Sequence, residues 1–135
     1  MGWIVIIVLS VVVVPGVAII LYRSRSGAPD ILQSQLKEWM QQKSDICILD
    51  VRSVDEYNSG HIPGAINISY KEVSTHLDEL KSFAEKNVVV YCERGVRARI
   101  AQKALEKAGF SGVYHLTGGM ARWREAGLSV DTHGA

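Results

Sequence analysis

The stretch Asn87-Val88-Val89-Val90-Tyr91-Cys92-Glu93-Arg94-Gly95-Val96-Arg97 decides how the rest of the chain is read. N-V-V-V-Y is the strongest strand signal in the sequence, and Cys92 follows it at once. From Val96 to Ala108 the spacing turns helical. Ile100, Ala101, Ala104, Leu105 and Ala108 form one apolar stripe, and Gly109 supplies the C-cap. The loop from Cys92 to Arg97 therefore joins a strand end to a helix N-terminus. Amides in such a loop, aided by the helix dipole, make an anion site. Gly95 permits torsions that a side chain would forbid, and Arg94 and Arg97 add full positive charges. Each of these features favours a thiolate at Cys92.

Working outward, short apolar runs alternate with helical patterns. Ile31 to Gln42 has helical spacing from Leu32 on, and Ile46 to Leu49 reads as a buried strand ending in Asp50. Ser53 and Glu56 form a capping box at the head of one or two helical turns over 53–59. Gly60 to Gly64 is a turn-rich loop, Ala65 to Ile68 a short strand, and Lys71 to Glu85 polar and mostly helical. Val113 to Leu116 is the last strand, and Met120 to Ala126 the last helix, stopped by Gly127. This alternation predicts an α/β fold, a parallel sheet with helices on both faces. Sites in such sheets form at the carboxyl ends of the strands, where Asp50 and Cys92 fall.

Charge divides the 135 residues. Fifteen Lys and Arg against fourteen Asp and Glu leave a formal charge of +1, which argues against a general nucleic-acid binder. None of those charges lies in residues 1–22, and seventeen of the twenty residues from Trp3 to Tyr22 are apolar. A helix of that length spans about 30 Å, the thickness of a bilayer core. The reading is a retained transmembrane anchor over 1–22, a polar linker over 23–29, a domain over 30–128 and a loose tail over 129–135. A cleaved signal peptide would need a basic segment before Ile4 and a shorter apolar core. Arg23 and Arg25 directly after the span place the N-terminus outside and the domain in the cytoplasm. Two Cys exclude a disulfide-dense scaffold and a four-Cys zinc site, and His76, His115 and His133 lack ligand spacing.

Four segments together resemble a single-domain rhodanese, a sulfurtransferase: L-D-V-R-S-V-D-E-Y at 49–57, G-H-I-P-G-A-I-N-I at 60–68, V-V-V-Y-C-E-R-G-V-R at 88–97 and L-T-G-G-M-A-R-W at 116–123. The resemblance implies a five-stranded parallel sheet flanked by helices, here preceded by one transmembrane helix. It also implies a mechanism. Cys92 would attack the outer sulfur of a donor such as thiosulfate, carry it as a persulfide and pass it to a thiol, a protein cysteine or cyanide. The loop 93–97 (Glu93, Arg94, Gly95, Val96, Arg97) would bind the donor, and no metal or organic cofactor is implied. A tethered persulfide carrier with little small-molecule turnover is the alternative. Related phosphatases use a longer Cys-x5-Arg loop, whereas Arg97 here follows Cys92 after four residues and Ala98 comes next, which disfavours phosphatase or arsenate reductase chemistry.

Other candidates read as support. Asp50 can accept hydrogen bonds from loop amides, Arg52 can pair with Glu56 four residues on, and His61 sits in a Gly/Pro-constrained turn. Cys47, Trp39 and Trp123 read as core, and Gly118-Gly119 as a turn. Glu93 departs from the basic residue that thiosulfate-using members carry after the cysteine. An acid there opposes thiolate formation and repels a dianion, so a small-thiol or protein persulfide is an expected alternative donor.

Overall fold

The computed structural model describes residues 29–132. The anchor expected at 1–22 and nearly all of the expected linker lie outside those residues. Among the described residues no helix is long and apolar enough to cross a membrane. Five parallel strands form one sheet: β1 (Asp30–Ile31), β2 (Ile46–Asp50), β3 (Ile66–Asn67), β4 (Asn87–Tyr91) and β5 (Gly112–Leu116). Their order is β1-β5-β4-β2-β3, with β4 at the centre between β5 and β2. Five α-helices are described: α1 (Gln33–Gln41), α2 (Val54–Ser59), α3 (Leu77–Leu80), α4 (Val96–Lys107) and α5 (Gly119–Glu125).

The period of two along each strand divides the core between the sheet's faces. Cys47, Leu49, Val88 and Val90 pack on one face with Ala98, Ala101 and Leu105 of α4. Ile48, Val89 and Tyr91 pack on the other with Leu36 of α1 and Met120 and Trp123 of α5. Each fully buried aliphatic side chain contributes about 1.5–3 kcal/mol. Covering both faces is why these strands read as unbroken apolar runs rather than as alternation.

Ile31, which precedes the helical spacing expected from Leu32 on, lies in β1 beside Leu116 of β5; a two-residue strand has no periodicity of its own. The segment 71–85, expected to be mostly helical, is so in short pieces: the 3₁₀ turn Val73–Thr75, the four-residue α3 and a second 3₁₀ turn, Lys81–Phe83. Thr75 Oγ1 donates to Glu72 O at 2.9 Å, a local bond that competes with helix. One expectation is corrected: of the tail expected to be loose over 129–135, Ser129 and Asp131 are pinned. Trp123 Nε1 donates to Ser129 O at 2.8 Å, and Asp131 and His61 exchange two backbone hydrogen bonds of 2.9 Å.

Candidate active site

Cys92 stands one residue past β4 and is only 2% exposed. Its loop is seated on the first turn of α5. Met120 N–H donates to Cys92 O at 2.9 Å, and Ala121 N–H to Glu93 O at 3.0 Å. Gly119 makes this contact possible, with φ +57°. A Cβ there would lie 2.4 Å from Cys92 O and 2.7 Å from Glu93 O. Gly95, the N-cap of α4, has φ +150°, and a Cβ on it would meet the His115 ring at 3.3 Å. The expectation of special torsions at Gly95 therefore holds. The turn reading of Gly118-Gly119 missed what Gly119 is for. The first helical hydrogen bond of α4 runs from Arg99 N–H to Gly95 O, so the amides of Val96, Arg97 and Ala98 precede it at the positive end of the helix.

The charges around the loop are paired across the fold. Arg97 donates to both Glu56 oxygens, at 2.7 and 2.9 Å. That contact, with the Ser53 cap, holds the Glu56 carboxyl down at about 2. It raises Arg97 further above its usual range. The expected Arg52–Glu56 pair does not form. Arg52 precedes the helix, so the i,i+4 rule does not reach it. Its side chain turns inward to Asp50, with Nε–Oδ1 at 3.0 Å and Nη2–Oδ2 at 2.7 Å, and donates to Gly60 O at 2.7 Å. Burial alone would lower the Arg52 pKa, but the hydrogen bonds and charge of Asp50 outweigh it. Asp50 also accepts the Arg52 amide at 2.9 Å, as expected of a loop-amide acceptor. Beneath them Tyr91 donates nothing to solvent: burial and the Asp50 carboxylate push its phenol far up, and its hydroxyl accepts from Ile62 N–H at 3.1 Å.

Glu93 is not the free acid that its position suggested. One carboxylate oxygen is hydrogen-bonded by Arg124 of α5, and the other lies 3.6 Å from Arg52 Nη1. Arg94 is exposed, without a hydrogen bond or ion pair among the described residues, and Val96 is 76% exposed at the head of α4. His61 lies away from this chemistry. It is buried, with Nδ1 at 2.8 Å from Tyr57 O and its ring stacked on Tyr57 at 3.7 Å. Cys47 is buried inside β2, where desolvation pushes its thiol up to about 11. Gly119, read only as part of a turn, and Arg124 are the residues whose place at the site sequence reasoning missed. The only signal for either was the 116–123 segment that contains Gly119.

A buried cysteine at the carboxyl end of the central strand, ahead of the N-terminus of α4 and docked on α5, defines an α/β fold with its candidate site at the strand ends. The sequence profile of the Rhodanese-like domain matches residues 32–126, and the chain belongs to that family. It is 36% identical over 92 residues to the thiosulfate sulfurtransferase GlpE of Coxiella burnetii, covering 67% of this chain and 84% of that one. It is 33% identical over 98 residues to the putative sulfur carrier protein YrkF of Bacillus subtilis, covering 73% of this chain but only 52% of YrkF. The fold is similar to the crystal structure of a thiosulfate sulfurtransferase from Pseudomonas aeruginosa, with a TM-score of 0.71 and 27% identity. That match covers 78% of this chain and 20% of the other. The family thus includes both sulfurtransferases and sulfur carriers.

Proposed function

We propose that this chain moves sulfane sulfur through a persulfide on Cys92. The Cys92 thiolate attacks the outer sulfur of thiosulfate or of a small persulfide. The donor's S–S bond breaks, sulfite or the small thiolate leaves with the bonding pair, and Cys92 carries the terminal sulfur as a persulfide anion. A thiophilic acceptor, a thiol or cyanide, then takes that sulfur and restores the thiolate. The amides of Val96, Arg97 and Ala98, with Gly95 giving the turn its shape, would stabilise the anionic sulfur as an oxyanion hole does. Arg94 would flank the donor with its charge, unpaired among the described residues, while Arg97 and Glu93, paired with Glu56 and Arg124, would hold the loop in shape.

The single observation that carries this reading is the position of Cys92, one residue past β4 and in front of the α4 N-terminus, with Arg97 in the first turn of that helix. The test is the full chain in detergent, supplied with thiosulfate and cyanide. Thiocyanate should form, intact mass should show one added sulfur on Cys92 before the acceptor is supplied, and Cys92→Ser should show neither. Full activity in the serine variant would refute the mechanism.

A second reading, a persulfide relay between proteins, draws on the burial of Cys92 and on the similarity to a sulfur carrier. It expects sulfur loading on Cys92 with little turnover on thiosulfate and cyanide. The apolar, uncharged run at 3–22 supports a further part of the proposal, a single-pass tether that leaves the domain in the cytoplasm. A reporter fused after Ala135 that works only outside the cytoplasm would overturn that placement.

A further inference from the structure

We propose that Arg124 is a positioning residue that holds the Glu93 carboxylate away from the mouth above Cys92 and thereby sets the donor charge the site accepts. This deepens the sulfurtransferase reading and rests on it for the identity of the donor. Glu93 is the residue next to Cys92, so a free carboxylate there would face any anion approaching the sulfur. Instead it is spanned by two guanidiniums, Arg124 on one oxygen and Arg52 Nη1 at 3.6 Å from the other. Arg52 cannot move to follow it, because it is 2% exposed and committed to Asp50 and Gly60 O. Arg124 is the half-exposed, adjustable member of the row Asp50–Arg52–Glu93–Arg124.

Arg124 lies in the last turn of α5, and the first turn of that helix holds the carbonyls of Cys92 and Glu93. One helix therefore grips the loop twice, by its amides and by a side chain. The balance of charge follows. Asp50 offsets Arg52, Glu93 offsets Arg124, and Glu56 offsets Arg97. Apart from the sulfur itself, the charge left unbalanced on the loop is the cation of Arg94, exposed and unpaired among the described residues. A loop with that balance attracts an anionic donor. Released from Arg124, Glu93 would cancel Arg94.

The experiment compares alkylation of Cys92 by iodoacetate, an anion, with alkylation by neutral iodoacetamide. In both, the thiolate displaces iodide, and mass analysis of the Cys92 peptide of the full chain gives the rate. Arg124→Ala should lower the iodoacetate-to-iodoacetamide ratio about three- to tenfold. The change should shrink in 1 M salt. In the Glu93→Gln background the same substitution should lower the ratio by a clearly smaller factor, because only the charge of Arg124 is then lost and no carboxylate is released toward the sulfur. The kcat/KM for thiosulfate, a dianion, should fall in the same direction relative to methanethiosulfonate, a monoanion that delivers the same sulfane sulfur. An unchanged ratio, an equal loss in both backgrounds, or equal slowing of both reagents would overturn the proposal. If the alkylation ratios behave as stated and neither donor loads sulfur on Cys92, the sulfurtransferase reading fails and the clamp stands.

Discussion

Two thiols, Cys47 and Cys92, share one face of one sheet and are equally buried, at 3% and 2% exposure. Cys47 lies inside β2, opposite Val88 of the neighbouring β4. Cys92 lies four residues beyond Val88, about 13 Å further along the strand direction. That distance separates a desolvated interior from the end of the sheet. Around Cys47 there is only apolar packing, which penalises the charged form. Around Cys92 there is a helix N-terminus, a docked α5 and a set of paired charges. Burial by itself therefore does not distinguish the two sites. What distinguishes them is whether the strand has ended, because only past its end do backbone amides lose their partners in the sheet.

The largest test of this contrast exchanges the sulfurs. Cys92→Ser should remove sulfur loading and transfer by at least about a thousandfold, as loss of a covalent nucleophile does. Cys47→Ser should leave transfer within twofold while lowering stability by about 1–3 kcal/mol, the cost of a hydroxyl in an apolar site. Thiocyanate formation and urea unfolding on both variants read the two effects.

Next in size is the support under the mouth. Asp50→Ala leaves the Arg52 guanidinium buried and uncompensated, which costs about 3–5 kcal/mol in chemical denaturation. The transfer rate should fall with it, since Arg52 also faces Glu93.

A smaller effect is the pH dependence that belongs to Cys47. Its thiol is raised from 9.0 to about 11 by burial, so the folded chain binds that proton more tightly than the unfolded one. This contribution is fully present below pH 9 and is lost as pH rises toward about 11. It amounts to roughly 2–3 kcal/mol. Unfolding curves of the wild type and Cys47→Ala across that window should converge at the alkaline end.

The smallest effect is at the rim. Glu56 is depressed to about 2, first by Arg97, so its contribution is present above pH 4.5 and fades as pH falls toward 2. Because Glu56 and Arg97 are about a third exposed, solvent screening keeps the effect below about 1 kcal/mol. Glu56→Gln should flatten that acid slope in unfolding experiments and leave the Cys47 window untouched.

Much of the centre of the molecule was legible because it is locally encoded. The β4–loop–α4 unit, the Ser53–Glu56 cap and the interior place of Cys47 each depend on residues within a few positions of one another. The α/β class followed from the same short-range alternation, whereas the count of five strands came from resemblance. The strand it added, β1, exists only because β5 pairs with it. The partners of the site's charges were not legible. Arg97 finds Glu56 41 residues away, and Arg124 finds Glu93 31 residues away. Gly119 fits under Cys92 O only once α5 has docked.

The amino-acid order alone determined where backbone torsions change and which side chains must leave water, since both are set by immediate neighbours and by period. It thereby located the sulfur at the end of a strand. Only the tertiary structure decided which charges cancel there, because an ion pair depends on which distant side chains the packed sheet and helices bring within a few ångströms. Glu93 is the plainest case: an acid beside the sulfur on paper, and a loop carboxylate paired with Arg124 of α5 in the fold.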